Sequence, residues 1–117
     1  MINDKTAIID FTVIIGEGSV SNSGVILDKG VIIGENVFIN VACCVAHDSI
    51  IGVHSFLAPR IAIAGFTQIG QLCFLGINST IIDNLCLSSK IIIGAGAVVI
   101  SNLKSPGLYV GVPAIKK

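Results

Sequence analysis

Hydrophobic positions recur along this chain every six residues. Stepping by six from Ile9 gives Ile9, Ile15, Ser21, Leu27, Ile33, Ile39, Val45, Ile51, Leu57, Ile63, Ile69, Leu75, Ile81, Leu87, Ile93 and Val99, and only Ser21 is not Ile, Leu or Val. With this aliphatic position counted as slot one, slot five is always small or apolar, from Val13 and Ser19 through to Ala97 and Leu103. The charges Asp10, Glu17, Asp28, Lys29, Glu35, Asp48, Arg60, Asp83 and Lys90 all fall in slots two to four. Slots one and five therefore face an interior, and slots two to four form exposed corners. A period of six fits neither the 3.6 of an amphipathic helix nor the alternation of an ordinary half-buried strand. It fits short β-branched strands with a bend every six residues.

Gly16, Gly34, Gly52 and Gly70 recur at intervals of 18, which groups the strands in threes. The pattern predicts an all-β fold, a parallel β-helix with triangular 18-residue coils, stacked about 4.8 Å apart. Ile51 and Ile69 are expected inside it. The helix is expected over residues 1–104, with 1–8 as a lead-in strand and about five to six coils in all. Residues 105–117, SPGLYVGVPAIKK, break the period with Pro106 and Pro113 and are expected to cover the last coil or a neighbouring subunit. Side chains such as Ile14, Val20, Ile26, Ile32 and Phe38 line flat outer faces, which predicts association.

Composition changes this picture little. Of the 117 residues, 53% are hydrophobic and 12% charged, which excludes disorder. Seven Lys+Arg balance seven Asp+Glu, so there is no electrostatic case for nucleic acid or an acidic membrane. The stretch without charge between Arg60 and Asp83 carries Thr67, Gln68, Gln71, Asn78, Ser79 and Thr80, a poor composition for a lipid-facing helix. No secretory signal is visible. Cys43, Cys44, Cys73 and Cys86 match neither a zinc ribbon nor a redox CxxC spacing, which reads as reduced thiols in a cytoplasmic protein.

Candidate chemistry is concentrated at one corner. His47 occupies slot three and should reach the surface, where it is either a solvated histidine or a general base. Asp48 is either an exposed turn residue or the carboxylate that orients the imidazole. Asp83 shares the slot of His47 two coils on and is the weaker substitute. Gly65 lies one coil beyond His47 in the same column, either as a tight corner or as a point where a ligand approaches the backbone. Cys43 points inward by register, which argues against a covalent mechanism through it, and Cys44 has no evident basic partner. No metal is expected, since a zinc site of the γ-carbonic anhydrase kind, on this same fold, needs three histidines and the chain has two.

Three segments carry a resemblance: Val45-Ala46-His47-Asp48-Ser49-Ile50-Ile51-Gly52, Cys73-Phe74-Leu75-Gly76-Ile77-Asn78-Ser79 and Gly111-Val112-Pro113-Ala114. Together with the hexad repeat, they resemble the hexapeptide-repeat acyltransferases, and within them the sialic-acid O-acetyltransferase and UDP-amino-sugar N-acetyltransferase group. The resemblance implies a left-handed coil, where the general rule for parallel crossovers would give a right-handed one. It also implies a homotrimer with active sites between subunits, acetyl-CoA as co-substrate, and a sugar or nucleotide-sugar acceptor acetylated on an amine or hydroxyl. His47 becomes the general base of a direct transfer, Asp48 its partner, and Gly65 the backbone N–H donor to the thioester carbonyl. Gly76, Ile77 and Ala95 become positions along the pantetheine path. Phe56 stands where members carry a second histidine, with His54 two positions earlier, and both are candidate acceptor contacts. Lys104, Lys116 and Lys117 are candidate partners for CoA phosphates. The N-terminal α/β domain that members usually carry has no counterpart in this sequence. The competing expectation is a non-catalytic β-helix module that has lost its acceptor domain.

Overall fold

The computed structural model describes residues 2–117. Slots six and one of each hexad form a two-residue strand, as at Cys44–Val45, Ile50–Ile51 and Phe56–Leu57. Slots three and four turn the corner to the next strand. Each strand pairs in parallel with the one 18 residues on, so Phe38, Phe56 and Phe74 stand directly above one another, as do Ile39, Leu57 and Leu75. Three sheets result. Face I runs from Ile2–Asn3 through Phe56–Leu57 to Gly107–Val110, face II from Ile8–Ile9 through Cys44–Val45 to Val98–Val99, and face III from Ile14–Ile15 through Ile50–Ile51 to Cys86–Leu87. The prism measures 37 × 21 × 19 Å.

The interior is built from slots one and five. Ile51 and Ile69 are buried, as are Leu27, Ile33, Ile39, Val45, Leu57 and Leu75. In the first coil Ile9, Val13 and Ile15 are only partly buried, because no coil lies beneath them. Slot five also carries polar residues, and the backbone explains them. At Ser19, Ser49 and Ser55 a corner carbonyl and a slot-five N–H of the next coil both lie near the hydroxyl, which satisfies them in one step, whereas the Ser79 hydroxyl is buried without a partner. Ser55 Oγ donates to the Gly70 carbonyl (3.0 Å) and accepts from the Cys73 N–H (3.1 Å). Ser19 does the same with the Gly34 carbonyl and the Val37 N–H.

The six-residue count fails after Val99. Leu103 pairs with Leu87, and Tyr109 with Ile93, each sixteen residues on instead of eighteen. Leu103 therefore takes a slot-one place where the count assigns slot five, and it stays buried. The period breaks but the sheet continues: Gly107–Val110 extends face I past residue 104, in parallel with Ile91–Ile93. The chain then reverses through Gly111 (φ 98°) and a cis Val112–Pro113 peptide, and Ile115–Lys116 pairs antiparallel with the strand before it. Gly107–Val110 and Ile115–Lys116 thus extend face I beyond Ile91–Ile93. Buried Tyr109 fixes them, its hydroxyl donating to the Ser105 carbonyl at 2.7 Å.

Candidate active site

His47 and Asp48 form the corner between faces II and III. Buried Val45 and Ser49 anchor its two sides, so residues 46–48 must project outward between them. The corner is tied axially in both directions. The His47 carbonyl accepts from the Phe66 N–H of the next coil (3.0 Å), and the Asp48 N–H donates to the Lys29 carbonyl of the previous one (2.9 Å). Asp48 adopts a left-handed conformation, φ 59°, which a short polar side chain tolerates better than most.

This geometry brings two adjacent side chains together. His47 Nδ1 lies 3.2 Å from Asp48 Oδ2, and the two side chains are 48% and 46% exposed. A carboxylate at Nδ1 favours the tautomer with its proton there, leaving the Nε2 lone pair free. Asp83, two coils on, instead accepts from the Asn84 side-chain amide at 2.9 Å. Asp48 is the carboxylate in contact with the imidazole.

The Cε1–Nε2 edge of the ring lies over Gly65. A Cβ at Gly65 would stand 2.7 Å from both atoms, so the space that glycine leaves open is filled by His47 itself. The Ser49 side chain reinforces the arrangement. Its Oγ donates to the Ala64 carbonyl (3.0 Å) and accepts from the Thr67 N–H (3.2 Å), bracketing Gly65 and Phe66 from within. Phe66 meets the imidazole edge to face, with centroids 5.0 Å apart and planes at 88°. Sequence reasoning missed Phe66. The available signal was its slot: Phe66 stands one coil beyond Asp48, beside Gly65.

The other candidates lie elsewhere on the prism. Ile77 and Ala95 share the corner between faces I and II, where the Ile77 carbonyl accepts from the Gly96 N–H (2.8 Å). The buried Gly76 N–H is committed to the Ile93 carbonyl (2.7 Å), and a Cβ there would strike that carbonyl. Exposed His54 sits at the third corner, left-handed at φ 60°, with its N–H on the Glu35 carbonyl. Phe56 is on the outer side of face I, stacked between Phe38 and Phe74 at 5.2 Å on each side. Within one prism, then, His47, Asp48 and Gly65 converge, and Gly76, Ile77, Ala95, His54 and Phe56 do not join them.

The cysteines divide by slot. Cys43 and Cys73 are buried, and their thiols donate to the Ala58 and Ser88 carbonyls as the slot-five serines do. Burial pushes both thiols above the ordinary range. Cys44 and Cys86 are exposed on faces II and III. Lys116 Nζ donates to Ser105 Oγ at 3.2 Å. Among the described residues no three His, Cys, Asp or Glu side chains converge on a common point, and no helix is long and apolar enough to cross a membrane.

Comparison with solved structures places this fold among the left-handed β-helices of hexapeptide-repeat acyltransferases. PerB from Caulobacter crescentus, solved with CoA and GDP-perosamine, is 33% identical with a TM-score of 0.97, over 100% of this chain and 57% of that one. The acetyltransferase domain of PglB from Neisseria gonorrhoeae, solved with acetyl coenzyme A, is 25% identical with a TM-score of 0.96, over 98% and 56%. AntD, an N-acyltransferase from Bacillus cereus solved with dTDP and 3-hydroxybutyryl-CoA, is 18% identical with a TM-score of 0.91, over 98% and 77%, and shows the fold alone. The chain thus spans less than two thirds of the length of the first two. No protein-family profile and no curated protein sequence matches it.

Proposed function

We propose that this chain carries the acyl-transfer centre of an acetyl-CoA-dependent acetyltransferase acting on an amine or hydroxyl of a sugar or nucleotide sugar. The observation that carries the reading is the His47–Asp48 pair, poised at 3.2 Å on a half-exposed corner with its ring edge over Gly65. Support comes from the solved relatives, which were crystallised with CoA and GDP-perosamine in one case and acetyl coenzyme A in another. Between the two acceptor atoms, the GDP-perosamine complex favours a sugar amine.

The chemistry follows from the dyad. The acceptor nitrogen or oxygen attacks the thioester carbonyl, forming the new bond to the acetyl carbon. His47 Nε2 takes the acceptor's proton as the attack proceeds, a role worth about 10²–10⁴-fold. Asp48 stabilises the imidazolium so formed. The Gly65 N–H has no acceptor among the described residues and is available to the developing oxyanion. Collapse breaks the carbon–sulfur bond, and the CoA thiolate leaves with the proton held by His47.

Acetyl-CoA would reach Ile77 and Ala95 on a different corner from His47. A homotrimer satisfies both placements if a corner of one protomer closes on the His47 corner of its neighbour, with Gly76 supporting the pantetheine path by close packing. The exposed apolar side chains Ile14, Ile26, Ile32 and Phe38 supply surface for that closure. His54 and Phe56 are then acceptor-side candidates, and Lys104, Lys116 and Lys117 phosphate-side ones, in a cytoplasmic enzyme.

One observation favours the second reading, a non-catalytic binding module: Phe56 is fully accounted for by its aromatic stack. The discriminating experiment measures release of free CoA from acetyl-CoA against a panel of amino sugars, nucleotide-linked amino sugars and sialic acids. Turnover on one of these establishes the transferase. No turnover, together with no acetyl-CoA-induced shift in melting temperature, makes the module the better account.

A further inference from the structure

The Asp48 carboxylate that meets His47 lies against a bare Cα one coil below it. Gly30 stands directly beneath Asp48 in slot four, and the carboxylate lies down over its Cα. A Cβ at Gly30 would fall on Asp48 Oδ1, well inside contact distance, with Cγ at 3.4 Å. The other oxygen, Oδ2, is the one at His47 Nδ1. A side chain at Gly30 and the present place of the carboxylate exclude one another. The same stacking recurs at Gly18, beneath Asn36, so it is a property of the coil. What distinguishes Gly30 is that the side chain laid over it is bonded to a histidine.

We infer that Gly30 is a positioning residue for the His47–Asp48 pair: the bare Cα of the preceding coil holds open the one space from which the Asp48 carboxylate can meet the imidazole. This rests on the reading of His47 as general base for its catalytic consequence, though not for its geometry. The groups that flank the pair are Lys29 below His47 in its column, Gly65 and Phe66 above, and Asp83 two coils on, engaged with Asn84.

Gly24 supplies an internal control. It occupies the same slot one hexad earlier, with φ +71° against +73° for Gly30. Its N–H donates to the Thr6 hydroxyl as that of Gly30 does to Thr12, at 2.9 and 2.8 Å. A Cβ at Gly24, however, meets nothing nearer than 3.8 Å. Gly24→Ala and Gly30→Ala therefore impose the same left-handed strain, and only the second displaces Asp48.

The test compares Gly30→Ala, Gly24→Ala and Asp48→Ala in the full chain by two readouts. The first is the imidazole carbon–proton NMR spectrum at fixed pH, in which His47 is identified by its loss in His47→Ala, since the chain holds two histidines. The second is kcat for acetyl transfer on whichever acceptor the panel identifies. Gly30→Ala should move the His47 resonances as Asp48→Ala does and reproduce its loss of kcat within about twofold, while Gly24→Ala does neither. In an Asp48→Ala background, Gly30→Ala should cost no more than Gly24→Ala, the non-additivity that direct coupling produces. If Gly30→Ala fails to fold where Gly24→Ala folds, Gly30→Asn takes its place, because asparagine accepts the left-handed region. Gly30 variants that match Gly24→Ala in both readouts overturn the inference. NMR changes as expected with full activity in His47→Ala would instead overturn the base assignment and leave the positioning intact.

Discussion

Slot five shows how one side chain can serve both core and corner. At every slot-five serine, threonine and cysteine from Ser19 to Cys73, a short donor beneath the corner satisfies a carbonyl of the next coil without opening a cavity; Ser79 alone of them leaves its hydroxyl unpaired. The thiols of Cys43 and Cys73 do this in place of hydroxyls, on the Ala58 and Ser88 carbonyls. The sequence showed these positions to be small or apolar and inward. It did not show their hydrogen bonds, because the accepting carbonyl is fifteen residues away and depends on how two coils sit on one another. A thiol reagent should accordingly modify Cys44 and Cys86 readily in the native protein and reach Cys43 and Cys73 only on unfolding. Burial raises the pKa of both inward thiols, so the protonated form is favoured in the fold. Their contribution to stability is complete below the ordinary thiol value of 9.0 and is lost as pH rises beyond it. The denaturation midpoint should therefore fall between pH 8 and pH 10, by less in Cys43→Ser and Cys73→Ser.

At the scale of the coil, the corner sets the constraints. From Gly18 to Gly96, every slot-four residue has a positive φ, including Ala42, His54, Arg60, Phe66, Leu72 and Lys90. Each residue there other than glycine, asparagine and aspartate costs about 1–2 kcal/mol. What offsets it is axial: the slot-four N–H meets the slot-three carbonyl one coil below, as His54 does with Glu35 and Leu72 with Val53. Glycine and asparagine account for only half of these positions, so turn chemistry alone could not reveal the conformation. The glycines that recur at 18 have another cause. A Cβ at Gly52 would stand 2.5 Å from the Gly70 carbonyl carbon, in the backbone of the next coil. Gly52→Ala should lower stability by about 1–3 kcal/mol in a denaturant titration. Gly96→Ala, where a Cβ meets nothing within 4 Å, should cost only the strain of its φ of +69°. The His47–Asp48–Gly65 corner was legible because 18-residue spacing places columns. Phe66 and Gly30 were not, because their part depends on which way two side chains fold down from the corner.

The whole molecule is a prism whose coils touch only their neighbours, with a stack of Phe38, Phe56 and Phe74 on one outer face. Hexad arithmetic sufficed for the fold because it assigns every side chain a direction. It stopped where the last coil shortens by two residues, since nothing in the local pattern around Leu103 marks the change. The candidate site was legible in part: its dyad lies at one corner, while Ile77 and Ala95 belong to another, and which corners meet is a question of assembly. Light scattering at micromolar concentration should give three times the 12.1 kDa chain mass; the mass of one chain would remove the shared site. The central claim is that His47 takes the acceptor's proton, and the most direct measurement of it is free-CoA release by wild type and His47→Ala on the same acceptor. The account predicts a loss of roughly 10²–10⁴-fold in kcat with acetyl-CoA affinity nearly unchanged, because the proposed CoA contacts are backbone groups and coil edges beyond this corner. Equal rates for the two proteins would contradict it.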